Sequence, residues 1–123
     1  MKTFITGSSG LIGSACVKVL ANAGTVIGID CDARGQLFGA AASTAAVARE
    51  LVRAFPFYRH ESLDIRDRGR LRELFATERP DFIIHAAAQP SHDKAASVPY
   101  DDFDINAVAT LNLLAAARAF APD

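Results

Sequence analysis

Three glycines at equal spacing, Gly7, Gly10 and Gly13, follow a short apolar run at the start of the chain. The stretch reads Lys2-Thr3-Phe4-Ile5-Thr6-Gly7-Ser8-Ser9-Gly10-Leu11-Ile12-Gly13, and no other feature limits the fold as severely. An apolar run that meets glycine, with a helix start directly behind it, predicts a strand, a tight turn and a helix. Each glycine has its own reason. The first lets the chain leave the strand sharply, the second lets backbone approach a phosphate, and the third lets helix and strand pack closely. The helix then offers its free N–H groups and the positive end of its dipole. A dinucleotide pyrophosphate suits such a pattern. A glycine-rich turn without chemistry would also carry it, so the rest of the chain must decide.

At 123 residues, half of them hydrophobic, the chain is long enough for one domain with a real core, over residues 1–123. The formal net charge is −1 and there is no long charged run, which argues against nucleic acid or a charged membrane surface as partner. No apolar run approaches the roughly 18 residues that span a bilayer. The first strand begins almost at the N-terminus, so no signal peptide is expected. Cys16 and Cys31 lack metal-type spacing, and Cys16 falls on the apolar face of the first helix. A reduced, cytoplasmic protein without a metal site is the expectation.

Along the chain, Met1 to Thr6 is the first expected strand and Leu11 to Ala23 the first helix, with Gly24 as its stop. Thr25 to Ile29 is a second strand and ends at Asp30, 20 residues after Gly10. A carboxylate there accepts from ribose hydroxyls and repels a 2′-phosphate, which favours NAD over NADP. Arg34 tempers that preference, since a guanidinium could pair with the phosphate. Residues 31–41 are expected as loop and Ala42 to Ala54 as helix. Phe57 to His60 makes a weak third strand, and Asp67 an N-cap for a helix from Arg68 to Thr77 that turns Leu71, Leu74 and Phe75 inward.

Asp81 to His85 holds the apolar run of a buried parallel strand. Ala86, Ala87 and Ala88 then form a small-residue floor, and Gln89 to Pro99 a loop where open α/β sheets bind ligands. Asp101 or Asp102 is the expected cap of a last helix reaching about Ala119, apolar nearly all round and so expected to be buried on more than one side, by more of its own chain or by another subunit. Alternating strands and helices with short connections give a parallel α/β sheet flanked by helices, and the dinucleotide-binding, Rossmann-like fold that the glycine loop points to gives it the order 3-2-1-4.

With these pieces in place, the chain resembles the extended short-chain dehydrogenase/reductase family, the NAD-dependent nucleotide-sugar epimerases and dehydratases. The matching motifs are Thr6 to Gly13, Asp30, Asp64-Ile65, His85-Ala86-Ala87-Ala88, and Asn106 followed by Thr110-Leu111-Asn112-Leu113-Leu114. The resemblance implies that Leu11 and Ile12 give backbone N–H groups to the pyrophosphate. It implies that Asp64 accepts from the adenine amino group with the Ile65 amide beside it, and that Ala86 to Ala88 line the nicotinamide ribose. Asn106 would be the asparagine that supports the active site through backbone contacts. Within the family, Gln89-Pro90-Ser91-His92-Asp93 and Arg34 to Gly39 resemble the CDP-paratose or CDP-tyvelose 2-epimerases most. A 4-epimerase or 4,6-dehydratase shares most of the motifs. His85 reads as a packed, hydrogen-bonded histidine. Gln89, Ser91 and His92 are the candidates for contact with a nucleotide-sugar substrate.

The family's chemistry uses a Tyr-x-x-x-Lys pair and a nearby Ser or Thr. This chain has Tyr58 and Tyr100, and neither has Lys four positions on. Adjacent Ser91, His92 and Asp93 do not suit a catalytic relay. No catalytic residue is therefore assigned. Ala119 to Asp123 reads as the linker into a fifth strand, so the chain is expected to be an N-terminal part, without a substrate domain and inactive alone. In such a part the fourth strand is an edge, and self-association through it or the last helix is expected. A non-catalytic NAD-binding or sensor module is the competing expectation.

Overall fold

The computed structural model describes residues 1–89 and 91–121. Pro90, from the motif compared above, and Pro122 and Asp123, from the expected linker, lie outside them. Four strands, β1 (Lys2–Thr6), β2 (Thr25–Asp30), β3 (Tyr58–Ser62) and β4 (Phe82–His85), form one sheet. All pairings are parallel and the order is β3-β2-β1-β4, as the sequence predicts. The helices are α1 (Leu11–Leu20), α2 (Ala33–Phe38), α3 (Ala45–Ala54), α4 (Arg68–Glu78), α5 (His92–Ser97), α6 (Pro99–Phe103) and α7 (Ala109–Phe120).

Alternation along β1 divides the core in two. Phe4 joins Ile27, Ile29, Leu71, Phe75 and Leu113 under α4 and α7, and its ring meets Phe75 edge-on at 4.9 Å. Ile5 faces the other way, into Val17, Val26, Leu51 and Tyr58 under α1 and α3. A strand buried on both faces has to be apolar at successive positions, which is what the sequence of β1 shows. Each such side chain contributes about 1.5–3 kcal/mol of transfer free energy.

The amino-terminal edge of the sheet is closed by charge. Glu78 pairs with Lys2 at 2.9 Å and with Arg59 at 2.5 Å, and the Lys2 amide donates to Asp81 at 2.6 Å. Hydrogen bonds from Lys2 and Arg59 hold the Glu78 carboxyl below its ordinary range. The cleft lies at the opposite, carboxyl edge.

Several expected boundaries move. Helix α1 stops at Leu20, and its packed face is Gly13, Val17 and the half-buried Cys16 and Leu20, while Leu11, Ile12 and Val19 are exposed. Residues 31–41 are not loop throughout. Asp32 caps α2 by accepting from the Gly35 amide, and a 3₁₀ turn at Ala40–Ala42 precedes α3. Strand β3 reaches Ser62 because it pairs along β2 as far as Asp30.

The Gln89–Pro99 stretch is largely helical. Ser91 caps α5 by accepting from the Lys94 amide, and Pro99 opens α6 at the position where a missing N–H costs nothing. Neither Asp101 nor Asp102 caps the last helix, since both lie inside α6; a π turn at Asp104–Val108 carries that helix on into α7. Asp67 does cap α4, accepting from the Arg70 amide at 3.0 Å. Helix α7 buries Ala109, Leu113 and Ala116, but Leu111 and Leu114 are exposed, so its own chain covers one side and not more.

Candidate functional site

Thr6 ends β1 level with Ile29 of β2 and His85 of β4. Three segments therefore leave the sheet side by side: the glycine loop, the turn beginning at Asp30, and Ala86 to Ala88. A cleft of about 280 Å³ opens between them. Gly7, Gly10, Leu11, Ile12 and Gly13 line it from the loop, Asp30 from the end of β2, and Cys31, Ala33, Arg34 and Thr44 from beyond that strand. Leu63, Asp64, Ile65 and Arg66 line it from beyond β3, with Ala86, Ala87, Ala88 and Ile105 opposite.

The loop is held by its own backbone. Gly7 has φ +66°, and a Cβ there would lie 2.8 Å from the Ala86 backbone. A Cβ on Gly13 would lie 2.0 Å from the Gly7 carbonyl oxygen, so helix and loop approach as only glycine permits. The Gly7 amide donates to Ile29 O at 2.8 Å, Ser9 to Asp30 Oδ2 at 3.0 Å, and Gly10 to Gly7 O at 3.0 Å. Ser14 then donates to Gly10 O, which closes the first turn of α1. Between these lie the amides of Leu11, Ile12 and Gly13, the donors a helix start leaves over, on three residues that line the cleft. Ser9 Oγ is also buried with no partner among the described residues. Surplus donors around a space kept clear by glycine fit a pyrophosphate.

The Asp30 carboxylate is fixed by two backbone donors, Ser9 N at Oδ2 and Asp32 N at Oδ1, 2.8 Å away. Each oxygen keeps a further lone pair for a hydroxyl donor. Asp32 itself sits at φ 54°, a left-handed conformation that aspartate tolerates. Its carboxylate accepts from Gly35 N, Ser43 Oγ, Thr44 N and Thr44 Oγ1. Desolvation opposes its charge, but these bonds together hold the carboxyl below the ordinary range.

Sequence reasoning missed this latch and the cleft residues Thr44, Cys31 and Arg66. Asp three places before Gly35, with Ser43-Thr44 ahead of a helix, was the available signal. Arg34 lines the cleft with its guanidinium 5.8 Å from the centre of the Phe38 ring. Burial first, and then the charges of Asp64 and Asp30, push the Cys31 thiol above its ordinary value, so it stays protonated.

On the β3 side, Arg66 grips Asp64 with its guanidinium at 2.7–3.1 Å and with its amide at 2.9 Å. Burial disfavours the Asp64 charge, but these bonds outweigh it and keep the carboxyl low, hence an acceptor. On the β4 side, His85 is exposed rather than packed, but it is bonded at both nitrogens as expected. Nδ1 lies 2.6 Å from Thr6 Oγ1 and Nε2 3.0 Å from Thr110 Oγ1. Thr110 donates its own proton to Asn106 O, so the network assigns the ring proton to Nε2 and makes Nδ1 the acceptor.

Asn106 accepts from the Gln89 amide at 3.0 Å and donates to Asp102. The Gln89 side chain folds back onto the Ser91 backbone, and His92 is the exposed first residue of α5. The structure brings the glycines, Asp30, Arg34, Asp64, Ile65 and Ala86–Ala88 around one cleft, and does not bring Gln89, Ser91 or His92 to it. No cluster of metal-ligating side chains occurs among the described residues.

A model of the NAD dependent epimerase/dehydratase family matches residues 3–123. The chain belongs to that family. This member of the extended short-chain dehydrogenases/reductases is 36% identical over 121 residues to a dTDP-glucose 4,6-dehydratase of Neisseria meningitidis, covering 97% of this chain and 32% of the relative. Its fold superposes on the Thermus thermophilus UDP-glucose 4-epimerase in complex with NAD with a TM-score of 0.76 at 30% identity, over 98% of this chain and 34% of that one. A dTDP-glucose 4,6-dehydratase from Streptomyces venezuelae with NAD bound gives 0.79 at 28% identity, over 98% and 36%. The family member described here thus spans about a third of the length of the relatives it matches.

Proposed function

We propose that this chain is the NAD-binding part of a nucleotide-sugar epimerase, one that removes hydride from a sugar carbon and returns it. The observation that carries the reading is the pairing, across one cleft, of α1's surplus amides with the doubly anchored Asp30 carboxylate. The amides of Leu11, Ile12 and Gly13 would hold the pyrophosphate, and Asp30 the adenosine ribose hydroxyls. Asp64 and the Ile65 amide would hold the adenine edge, and Ala86 to Ala88 would leave room for the nicotinamide ribose. When bound, NAD supplies a hydride acceptor. The chain's residues bind and orient it.

Asp30 favours NAD over NADP, since a 2′-phosphate would meet its charge; Arg34, which lines the cleft four residues on, is the cation we weigh against that. The chain contributes no Tyr-x-x-x-Lys pair, so we assign it cofactor binding and not turnover. Gln89, Ser91 and His92 remain the proposed approach to the sugar nucleotide in the larger enzyme. A CDP-sugar 2-epimerase is the subtype the motifs resemble most; dTDP-glucose 4,6-dehydratase and UDP-glucose 4-epimerase are the names carried by matched relatives. The reading includes a cytoplasmic location, with which the free Cys16 and Cys31 agree. No described helix is long and apolar enough to cross a membrane. It also includes self-association through the β4 edge or the exposed Leu111 and Leu114 of α7.

Calorimetry tests it. The chain should bind NAD, bind NADP about ten-fold more weakly or worse, as loss of a charged hydrogen bond implies, and turn over no nucleotide sugar alone. Tighter NADP binding, or turnover, would overturn the respective part.

A further inference from the structure

Tyr58 raises a question the cofactor reading leaves open. It is 5% exposed and packs among Ile5, Val17 and Leu51, a place phenylalanine would fill without a hydroxyl to satisfy. That hydroxyl runs under β2 and donates to Ser8 Oγ at 3.2 Å, with His60 Nδ1 also at 3.2 Å. Passage is possible because β2 has glycine where it crosses. A Cβ on Gly28 would lie 2.2 Å from the Tyr58 oxygen and 2.5 Å from Ser8 Oγ. Glycine inside a central strand costs stability, and here it leaves the space the tyrosine uses.

Ser8 is fully buried in the middle of the glycine loop, and its own amide reaches Ile29 O only at 3.5 Å. The Tyr58 contact is therefore the shorter of its two tethers. Gly7, Ser9 and Gly10 each have a backbone amide bond of 2.8–3.0 Å. Ser8 is the weak link in the loop that sets the direction of α1's free amides.

We propose that Tyr58, through Ser8, is a positioning residue that holds the glycine loop ready for pyrophosphate. The inference rests on the cofactor reading above and goes beyond it, because Tyr58 does not line the cleft. Its effect is preorganisation: a loop already fixed gives up less freedom when the anion arrives.

The test compares wild type, Tyr58→Phe, Ser8→Ala and the double variant by calorimetry with NAD, ADP and adenosine. Amide hydrogen exchange of the ligand-free chain is measured alongside. Each single change should weaken NAD and ADP about five-fold, the size of one buried hydrogen bond, and weaken adenosine less, since adenosine would meet the loop only through the Ser9-anchored Asp30. The double variant should be no weaker than either single one. Exchange at Ser8 and Ser9 should quicken in Tyr58→Phe without ligand. Ser8→Ala leaves the ring's packing untouched and carries the test should Tyr58→Phe lose its fold.

Unchanged NAD affinity, equal weakening of adenosine, additive losses, or unchanged exchange at Ser8 and Ser9 would overturn the proposal while leaving the cofactor reading intact. A wild-type chain that binds no NAD would overturn the cofactor reading and this one with it. Exchange would still tell whether Tyr58 orders the loop.

Discussion

Thr6 Oγ1 lies 2.6 Å from His85 Nδ1 and ties the carboxyl ends of β1 and β4 together beside the cleft. The Ala87 amide donates to the same Thr6 oxygen at 3.3 Å, so the alanine floor hangs from this contact too. An imidazolium could not accept from Thr6, and desolvation pushes the His85 pKa below its ordinary value of about 6.5.

A pH dependence with a definite sign results. Below about pH 6.5 the unfolded chain takes up a proton at His85 that the folded chain refuses, until pH passes the lower folded value. The contribution is complete above pH 6.5 and is lost as pH falls through that window. Thermal melts at pH 7.5 and pH 5 should show wild type losing more stability on acidification than His85→Gln. An equal loss in both would refute the assignment.

Asp30→Ala should weaken NAD binding about ten-fold or more, the scale of a hydrogen bond to a charged group, and weaken NADP less. Calorimetry with both nucleotides reads the ratio. A variant that keeps the wild-type preference would remove Asp30 from cofactor selection.

Two glycine-to-alanine changes should act in opposite directions. At Gly13 a methyl would meet the Gly7 carbonyl oxygen at 2.0 Å, and overpacking of that kind costs about 1–3 kcal/mol. At Gly69, exposed in the first turns of α4, the nearest atom would be 3.6 Å away, and alanine should stabilise by up to about 1 kcal/mol. Urea denaturation of both variants checks the signs.

Phe75→Ala should cost about 3–5 kcal/mol. Phe75 is fully buried and its ring packs edge-on against Phe4. The loss is a large part of the stability a domain this size has, so the variant should melt far below wild type. Calorimetric melting decides it.

Sequence placed β1, β2 and β4 because their apolar runs are separated by helix-sized segments, whereas β3, the polar Tyr58–Ser62, showed only weakly. The order β3-β2-β1-β4 came from the dinucleotide-binding fold that the glycine loop points to, since parallel pairing with short crossovers does not by itself set β4 beside β1. Gly13 was legible for the same local reason: a helix starting directly behind a strand leaves no space for a side chain. The stretches from 31–41 and 89–99 were less legible. Their helices, α2 and α5, are too short to show a repeat and depend on single capping contacts from Asp32 and Ser91.

What the sequence by itself determined was the fold, the loop and the acid at the end of β2, all set by spacing within or between neighbouring elements. Only the tertiary structure decided how those parts are held. The Tyr58–Ser8 contact spans 50 residues and the Thr6–His85 contact 79. It also decided that Arg66 secures Asp64, and that Gln89, Ser91 and His92 do not line the cleft. The reason is physical. Backbone pattern is written in local residue types, whereas a side-chain hydrogen bond between strands depends on register and on which atoms the packed core brings within 3 Å or so.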